Sequence, residues 1–397
     1  MQFDLANLPE GFRDDPFPHY AELLARAPVL RQPDGSVLIC RHSDLDRIYR
    51  DTTRFSSDKT RVFAPVFGSN SPLYAHHTTS LVFNDPPLHT RVRRIMTSAL
   101  TPRAIARMEP GLVVAVDALL DAMAGHDEVD LIEDFAAAIP IQIIGNLLDV
   151  PVEERGPLRD WSLAILGALE PALSEAELAR GNRAVEEFLE YLRDLVARRR
   201  ATPGDPETDV LTRLIQGTPE GEELSEAELL HNCIFILNAG HETTTNLIGN
   251  TLALLHDHPE SRARLLEHPE MMTSTIEESL RFLSPNQFGN RETVEAVEIG
   301  GVKIAPGTNL HLCIGAANRD PDVFADPDRF DIIRKPNRHL AFAGGPHVCV
   351  GLSLARLEGR IAVERLLARY PGYALAPGRV PGGRIRFRGY AALPARL

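Results

Sequence analysis

Cys349 stands in the stretch Phe342-Ala343-Gly344-Gly345-Pro346-His347-Val348-Cys349-Val350-Gly351, and the residues after it predict an amphipathic helix, Ser353–Tyr370. This arrangement restricts what the chain can build. Glycines let backbone approach a partner closely where a side chain would clash. A helix N-terminus turns unpaired N–H groups toward the sulfur. One thiolate held in this way suits a large, flat cofactor. Phe, Gly, His, Cys and Gly at these spacings arise by chance in about a few per hundred thousand chains of this length.

The 397 residues are 44% hydrophobic and 24% charged, enough for a large core. Length alone suggests two or three domains. A single domain, residues 1–397, is expected instead, because the residues assigned to the cofactor come from four distant segments. Aromatic residues make up only 6%, so the interior must be mainly Leu, Ile, Val and Ala, which suits helices. Cys40, Cys233, Cys313 and Cys349 lie far apart, which indicates neither a disulfide framework nor a zinc site. Met1 to Asp15 is acidic with no apolar centre and does not read as a signal peptide. No run of 18 apolar residues exists, so no membrane span and a cytoplasmic protein are expected. A net charge of −13 argues against nucleic acid as a partner.

Apolar residues at helical spacing dominate the chain. Helices are predicted at Tyr20–Ala27, Leu88–Leu100, Met108–Ala124, Leu131–Leu148, Glu153–Leu169, Glu175–Arg200, Leu229–His256, Pro259–Leu266, Met271–Leu283 and Ser353–Tyr370. Val29–Gln32 and Val37–Cys40 flank Asp34-Gly35, a hairpin signal. Val297–Ile304 is split by Gly300-Gly301, Asn309–Ile314 follows a Pro306-Gly307 turn, and Arg384–Ala391 is a further candidate strand. Ala201–Thr208 reads as a loop. The fold class is mainly α, with a small β-rich part near residues 28–41 and 292–315.

The Cys349 loop resembles the haem-ligand loop of the cytochrome P450 family, the haem-thiolate monooxygenases, with Ala343 where the family commonly has glycine. The resemblance implies that Cys349 ligates the iron of haem b, with Phe342, Gly344 and Gly351 shaping the loop around it. Thiolate ligation favours O–O cleavage over reversible dioxygen binding. A second motif, Ala239-Gly240-His241-Glu242-Thr243-Thr244, lies inside a helix that opens on the capping box Ser225-x-x-Glu228. Its flanks are apolar nearly all round, so a glutamate and a threonine at mid-helix are costly without a task. The resemblance implies that Thr243 steadies the oxygen being activated and Glu242 relays protons, while Ala239 and Gly240 lie against the haem. His241 is expected to face outward.

Glu278 and Arg281 share a helix face and resemble the family's Glu-x-x-Arg pair, with Arg329 as the matching third member in a structural role. His89 and Arg93 (i, i+4 on one helix), Arg291 and His347 each match a family position that binds a haem propionate; Arg91 and Arg94 are expected to face solvent. By the same analogy Phe235, Asn238, Asn286, Gln287, Phe288 and Val82 would line a substrate pocket. The resemblance implies electrons from NAD(P)H through ferredoxin reductase and ferredoxin. Arg334, Lys335, Arg338, Arg356 and Arg360 would form the basic face where an acidic ferredoxin docks. Dioxygen is the co-substrate and a mid-sized lipophilic molecule the substrate. A peroxide-driven enzyme and a haem-based gas sensor are the competing readings. The Glu242–Thr243 pair speaks against the first and the lack of an output module against the second.

Overall fold

A computed structural model describes residues 3–171, 173–206, 209–218 and 221–397. In chain order the helices are α1 (Phe17–Arg26), α2 (His42–Arg50), α3 (Thr60–Phe67), α4 (Pro72–Thr79), α5 (Leu88–Ala99), α6 (Pro102–Met123), α7 (Ala138–Leu147), α8 (Leu158–Gly167), α9 (Glu175–Ala201), α10 (Val210–Gln216), α11 (Glu226–Asp257), α12 (Pro259–Glu267), α13 (Met272–Phe282), α14 (Ile314–Ala317) and α15 (Leu352–Arg369). The strands are β1 (Val29–Arg31), β2 (Val37–Ile39), β3 (Phe55–Ser56), β4 (Val129–Asp130), β5 (Phe288–Thr293), β6 (Val297–Ile299), β7 (Val302–Ile304), β8 (Asn309–Cys313), β9 (Ala374–Leu375), β10 (Val380–Pro381), β11 (Tyr390–Ala392) and β12 (Pro394–Arg396).

All ten predicted helices are present, two of them broken. The Leu131–Leu148 pattern begins as a wide turn of π type, Leu131–Ala136, because the Asp130 carboxylate accepts from the N–H of Ile132 at 2.8 Å. Regular α7 starts only where Pro140, which has no N–H to give, can sit in a first turn. The Glu153–Leu169 pattern is interrupted at Gly156-Pro157, and α8 begins after it. Five short helices, α2, α3, α4, α10 and α14, escaped the sequence reading because fewer than three turns carry little periodicity. In the expected Arg384–Ala391 strand, only Phe387 (bridged to Asn286) and Tyr390 to Ala391 pair, and the strand proper is Tyr390–Ala392. Of the Ala201–Thr208 loop, Glu207 and Thr208 lie outside the described residues.

The chain divides into two compact units, one of Met1–Ser56, Val113–Ile139 and Thr243–Leu397, the other of Ser57–Leu112 and Pro140–Glu242. The second unit is helical. Within it α8 packs along α9, and Trp161 stacks on Phe188 with ring centroids 4.9 Å apart. The capping box that opens α11 is in place: the N–H of Ser225 donates to Glu228 at 2.8 Å and the N–H of Glu228 to Ser225 at 3.3 Å. Glu228 also pairs with Arg91 of α5, so Arg91 is not the plain surface cation expected of it. Arg94, 59% exposed, is nearer to one.

The first unit carries the sheet, in the order β1-β2-β8-β5-β3. β2 and β8 run parallel and the other neighbours antiparallel, with Val29 opposite Ile39 and Arg291 opposite Leu310. Its densest polar feature lies on α13. Glu278 and Arg281 are fully buried and joined by two hydrogen bonds, 2.8 and 2.7 Å. Arg281 has five N–H donors, and all are used: two on Glu278, the others on the carbonyls of Asn318, Pro327 and Arg329. Glu278 also accepts from the N–H of Asp331 (2.9 Å), from Arg334 (3.2 Å) and from Asn337 (3.2 Å).

Two expectations change here. Arg329 is exposed and contributes a backbone carbonyl, whereas the guanidinium that completes the triad is that of Arg334. Arg334 also donates to the carbonyls of Ala325, Asp326 and Arg329, so it is structural and withdrawn from the basic docking face.

Glu278→Ala would leave two guanidinium charges buried without their carboxylate, at a cost of about 3–5 kcal/mol. Urea denaturation should show that loss together with a poor yield of folded protein. A second buried carboxyl, Glu358 on α15, is 3% exposed, and burial pushes its pKa up to about 8. It is therefore neutral in the folded chain where the unfolded chain, near 4.5, is already ionised. Stability should fall by about 1.4 kcal/mol per pH unit from about pH 5 to 8 on its account. Denaturation midpoints at pH 6 and 8 should lie closer together in Glu358→Gln than in the parent.

Candidate active site

The loop before α15 is a chain of short backbone bonds. Asn318 accepts the N–H of Leu340 on its side chain at 2.7 Å, Ala343 donates to the carbonyl of Leu340 at 2.8 Å, and Cys349 donates to the carbonyl of Phe342 at 3.0 Å. Asn318 is also the residue whose carbonyl takes a bond from buried Arg281, so the ion pair on α13 sets where the loop begins. Gly345 has φ +63°, and a side chain there would collide with the carbonyl of Tyr49. Ala343 takes φ +56°, a left-handed conformation that costs a non-glycine residue about 1 kcal/mol or more. This is the position at which the loop departs from the pattern it resembles, and the backbone keeps the glycine conformation regardless.

Cys349 is half-buried and lies just before α15, whose N-cap is Gly351. The first N–H groups of that helix favour a thiolate over a thiol. Phe342 lies under the guanidinium of Arg356 at 4.7 Å and beside His339 at 6.0 Å. Both of those side chains are held by Glu277, at 2.6 and 3.2 Å. Burial alone would raise the Glu277 pKa, but bonds from Arg356 and His339 bring it down to about 2. Arg291 on β5 is 6% exposed, sits 5.2 Å from the Tyr49 ring centre and donates to the carbonyl of Asn290 at 2.7 Å. His347, half-buried, ends a short 3-10 turn two residues before Cys349.

α11 is buried along most of its length, yet it opens at one stripe. Ala239 is exposed and Phe235, Gly240 and Thr243 are half-buried, while Cys233, Ile234, Leu237, Glu242 and Thr244 are buried. Positions 235, 239 and 243 follow one another at i, i+4, so the opening is a single helix face. Gly240 is held by packing: a Cβ there would meet the Ile144 side chain at 2.7 Å. Glu242 is 8% exposed beside this stripe. His241, expected to face outward, is instead 1% exposed. On α5, His89 is 2% exposed and Arg93 half-buried, on one face as the spacing predicts.

The substrate-pocket residues fare less evenly. Gln287 accepts from the Tyr20 hydroxyl at 3.1 Å and donates to the carbonyl of Ser284 at 2.7 Å, so its amide is spent inside the fold. Phe288 belongs to an apolar core with Phe3, Phe12, Tyr20 and Leu23. Neither is a pocket wall, because strand alternation on β5 turns Phe288 toward that core. Asn286 is half-buried, with an Oδ1 that no donor among the described residues meets. Val82 is 36% exposed, and Asn238 is 3% exposed. Sequence reasoning missed Arg334, hidden in a basic run that reads as surface. It also missed Glu358, a glutamate on a helix with no sequence mark of burial.

Comparison with known proteins agrees with this geometry. The family model for cytochrome P450 matches residues 169–372. Cytochrome P450 107B1 of Saccharopolyspora erythraea is 38% identical over 99% of this chain and 98% of its own length. The vitamin D(3) 25-hydroxylase of Pseudonocardia autotrophica is 39% identical over 92% of this chain and 89% of its own. Among solved structures, P450BioI in complex with an acyl carrier protein ligated to hexadec-9Z-enoic acid superposes with a TM-score of 0.91 at 33% identity. That match covers 97% of this chain and 99% of the other. No helix among the described residues is long and apolar enough to cross a membrane.

An iron porphyrin asks for one axial ligand, small residues facing the ring and cations for two carboxylates. One unit offers a thiol at a helix start with the Arg291 guanidinium and the His347 imidazole, and the other an accessible Ala239-Gly240 step with His89 and Arg93; these residue types fit the group. Fold, donor chemistry and near full-length relatives converge: the chain belongs to the cytochrome P450 family, haem-thiolate monooxygenases that use haem b, dioxygen and NAD(P)H-derived electrons delivered by redox partners.

Proposed function

We propose that Cys349 is the axial thiolate, that His89, Arg93, Arg291 and His347 bind the propionates, and that Glu242 and Thr243 deliver protons. The haem supplies dioxygen activation: one oxygen atom enters a C–H bond and the other leaves as water, using two electrons and two protons. The observation that carries this reading is the opening of an otherwise buried α11 at Ala239, Gly240 and Thr243, next to the buried acid Glu242. Amides at the start of α15 moderate the charge on the Cys349 sulfur. Glu242 holds the proton, and the adjacent Thr243 hydroxyl, both donor and acceptor, orients it. The whole chain, residues 1–397, acts as one functional domain in this reading.

Electrons reach the protein from ferredoxin reductase and ferredoxin in the cytoplasm. Lys335 and Arg338 are exposed, and Arg356 and Arg360 are partly so, on a chain of net charge −13. Ion pairs to Glu277 and Glu364 neutralise the last two in part, which leaves Lys335 and Arg338 as the stronger lures for an acidic partner. The substrate is a mid-sized lipophilic molecule carrying at least one hydrogen-bonding group, with Phe235 and Val82 in the pocket wall. Relatives named for vitamin D(3) or crystallised with a fatty acyl carrier support that class. Asn286 offers its unmet Oδ1 to a substrate hydroxyl.

Thr243→Ala should keep the substrate-induced Soret shift while product per NAD(P)H falls about tenfold and hydrogen peroxide accumulates. Tight coupling in that variant would remove Thr243 from the mechanism. Asn286→Leu should weaken binding of a hydroxylated lipid about three- to tenfold, by Soret titration, and leave its deoxy analogue unchanged. Equal weakening of both ligands would show a packing effect only.

A further inference from the structure

One cluster in the helical unit is unexplained by the reading above. His76 on α4 and His231 on α11 are 2% and 7% exposed, with ring centroids 5.7 Å apart, and the Nδ1 of each meets no partner among the described residues. Seven residues along α11, Asn238 is 3% exposed, and neither end of its amide is hydrogen-bonded among the described residues. Four buried polar atoms without partners on one flank of a helix are far from the native norm, and buried water is the usual remedy. On the far side, His77 packs against Phe63, Phe67 and Phe83, so that end is closed by aromatic rings.

Helix geometry sets the direction of the polar strip. Asn238 and Glu242 are i, i+4, about 6 Å apart along the axis, and His231 precedes Asn238 by about 10.5 Å on nearly the same bearing. Burial and the charge of Arg193, an exposed residue of α9, push the His231 pKa down to about 4. Burial, then His77 and His231, depress that of His76. At neutral pH both rings are uncharged, and each has one N–H and one lone pair. A neutral imidazole can take a proton on one nitrogen while releasing another.

We propose that His231 and Asn238 line a buried water chain through which Glu242 is reprotonated, with His76 positioning the His231 ring. The inference rests on Glu242 as the proton donor. After Glu242 gives up its proton, its carboxylate takes one from the nearest water. About five waters, at about 2.8 Å per hydrogen bond, span the roughly 16.5 Å along the helix to His231, and the proton deficit moves along them to the imidazole. That ring is refilled from solvent on the side of Arg193. One proton enters for each that leaves, and no redox partner is needed for the step. His231 and Asn238 are positioning residues, since neither reaches the reacting atoms.

A high-resolution crystal structure of the holoenzyme gives a readout independent of turnover. Ordered water should lie within hydrogen-bond distance of the His231 Nδ1 and of both ends of the Asn238 amide; a dry strip there would overturn the proposal. In solution, Asn238→Leu and His231→Gln should each lower product per NAD(P)H about three- to tenfold and alter the solvent isotope effect on product formation. The substrate-induced Soret shift should stay unchanged in His231→Gln. Glu242→Gln is the discriminating arm. If it uncouples while both strip variants stay coupled, the water chain is wrong and the acid stands. If it stays coupled itself, the acid assignment fails and the chain with it.

Discussion

The buried Glu278–Arg281 pair organises the unit that carries the cysteine. Two opposite charges out of water are stable only when every remaining donor and lone pair finds a partner. Here the guanidinium places all five of its N–H groups, and the carboxylate collects five donors from four residues. The demand is met mainly by backbone and side chains between Asn318 and Asn337, an irregular stretch that would otherwise have little reason to hold one shape. The charge pair thus acts as a template for a loop. Through Asn318 the same constraint reaches Leu340, the first residue of the cysteine loop.

That loop shows how a backbone can be over-determined. Ala343 occupies a left-handed conformation suited to glycine, and Gly345, two residues on, cannot be replaced without a collision with the Tyr49 carbonyl. The surrounding bonds, from Leu340 to Ala343 and from Phe342 to Cys349, hold the turn whichever residue is present. Strain tolerated in this way is common where a functional atom must be aimed. The sulfur of Cys349 then lies just before the start of α15.

α11 poses a different problem. Its capping box starts it, its apolar flanks bury it, and a short accessible face interrupts the burial at Ala239, Gly240 and Thr243. Small residues at that face leave room beside the helix, while Gly240 itself is fixed by contact with Ile144. The polar groups that flank the opening, Glu242 and Asn238, are the ones an apolar helix would least tolerate without a task.

Sequence alone determined the helical class, the place of most long helices, the β hairpins, and the motifs around Cys349, Glu242 and Glu278. These rest on local signals: apolar periodicity, capping residues and glycines at fixed offsets. Tertiary structure decided the matters that depend on which side of an element meets a neighbour. Arg334, one cation in a basic run, became the partner of Glu278, while Arg329 gave only its carbonyl. Gln287 and Phe288 turned into the core, His241 was buried, and Glu358 was enclosed without a full set of partners. A residue's type states which interactions it can make. Whether water or protein meets that need is set by packing between distant segments, and no local pattern encodes it.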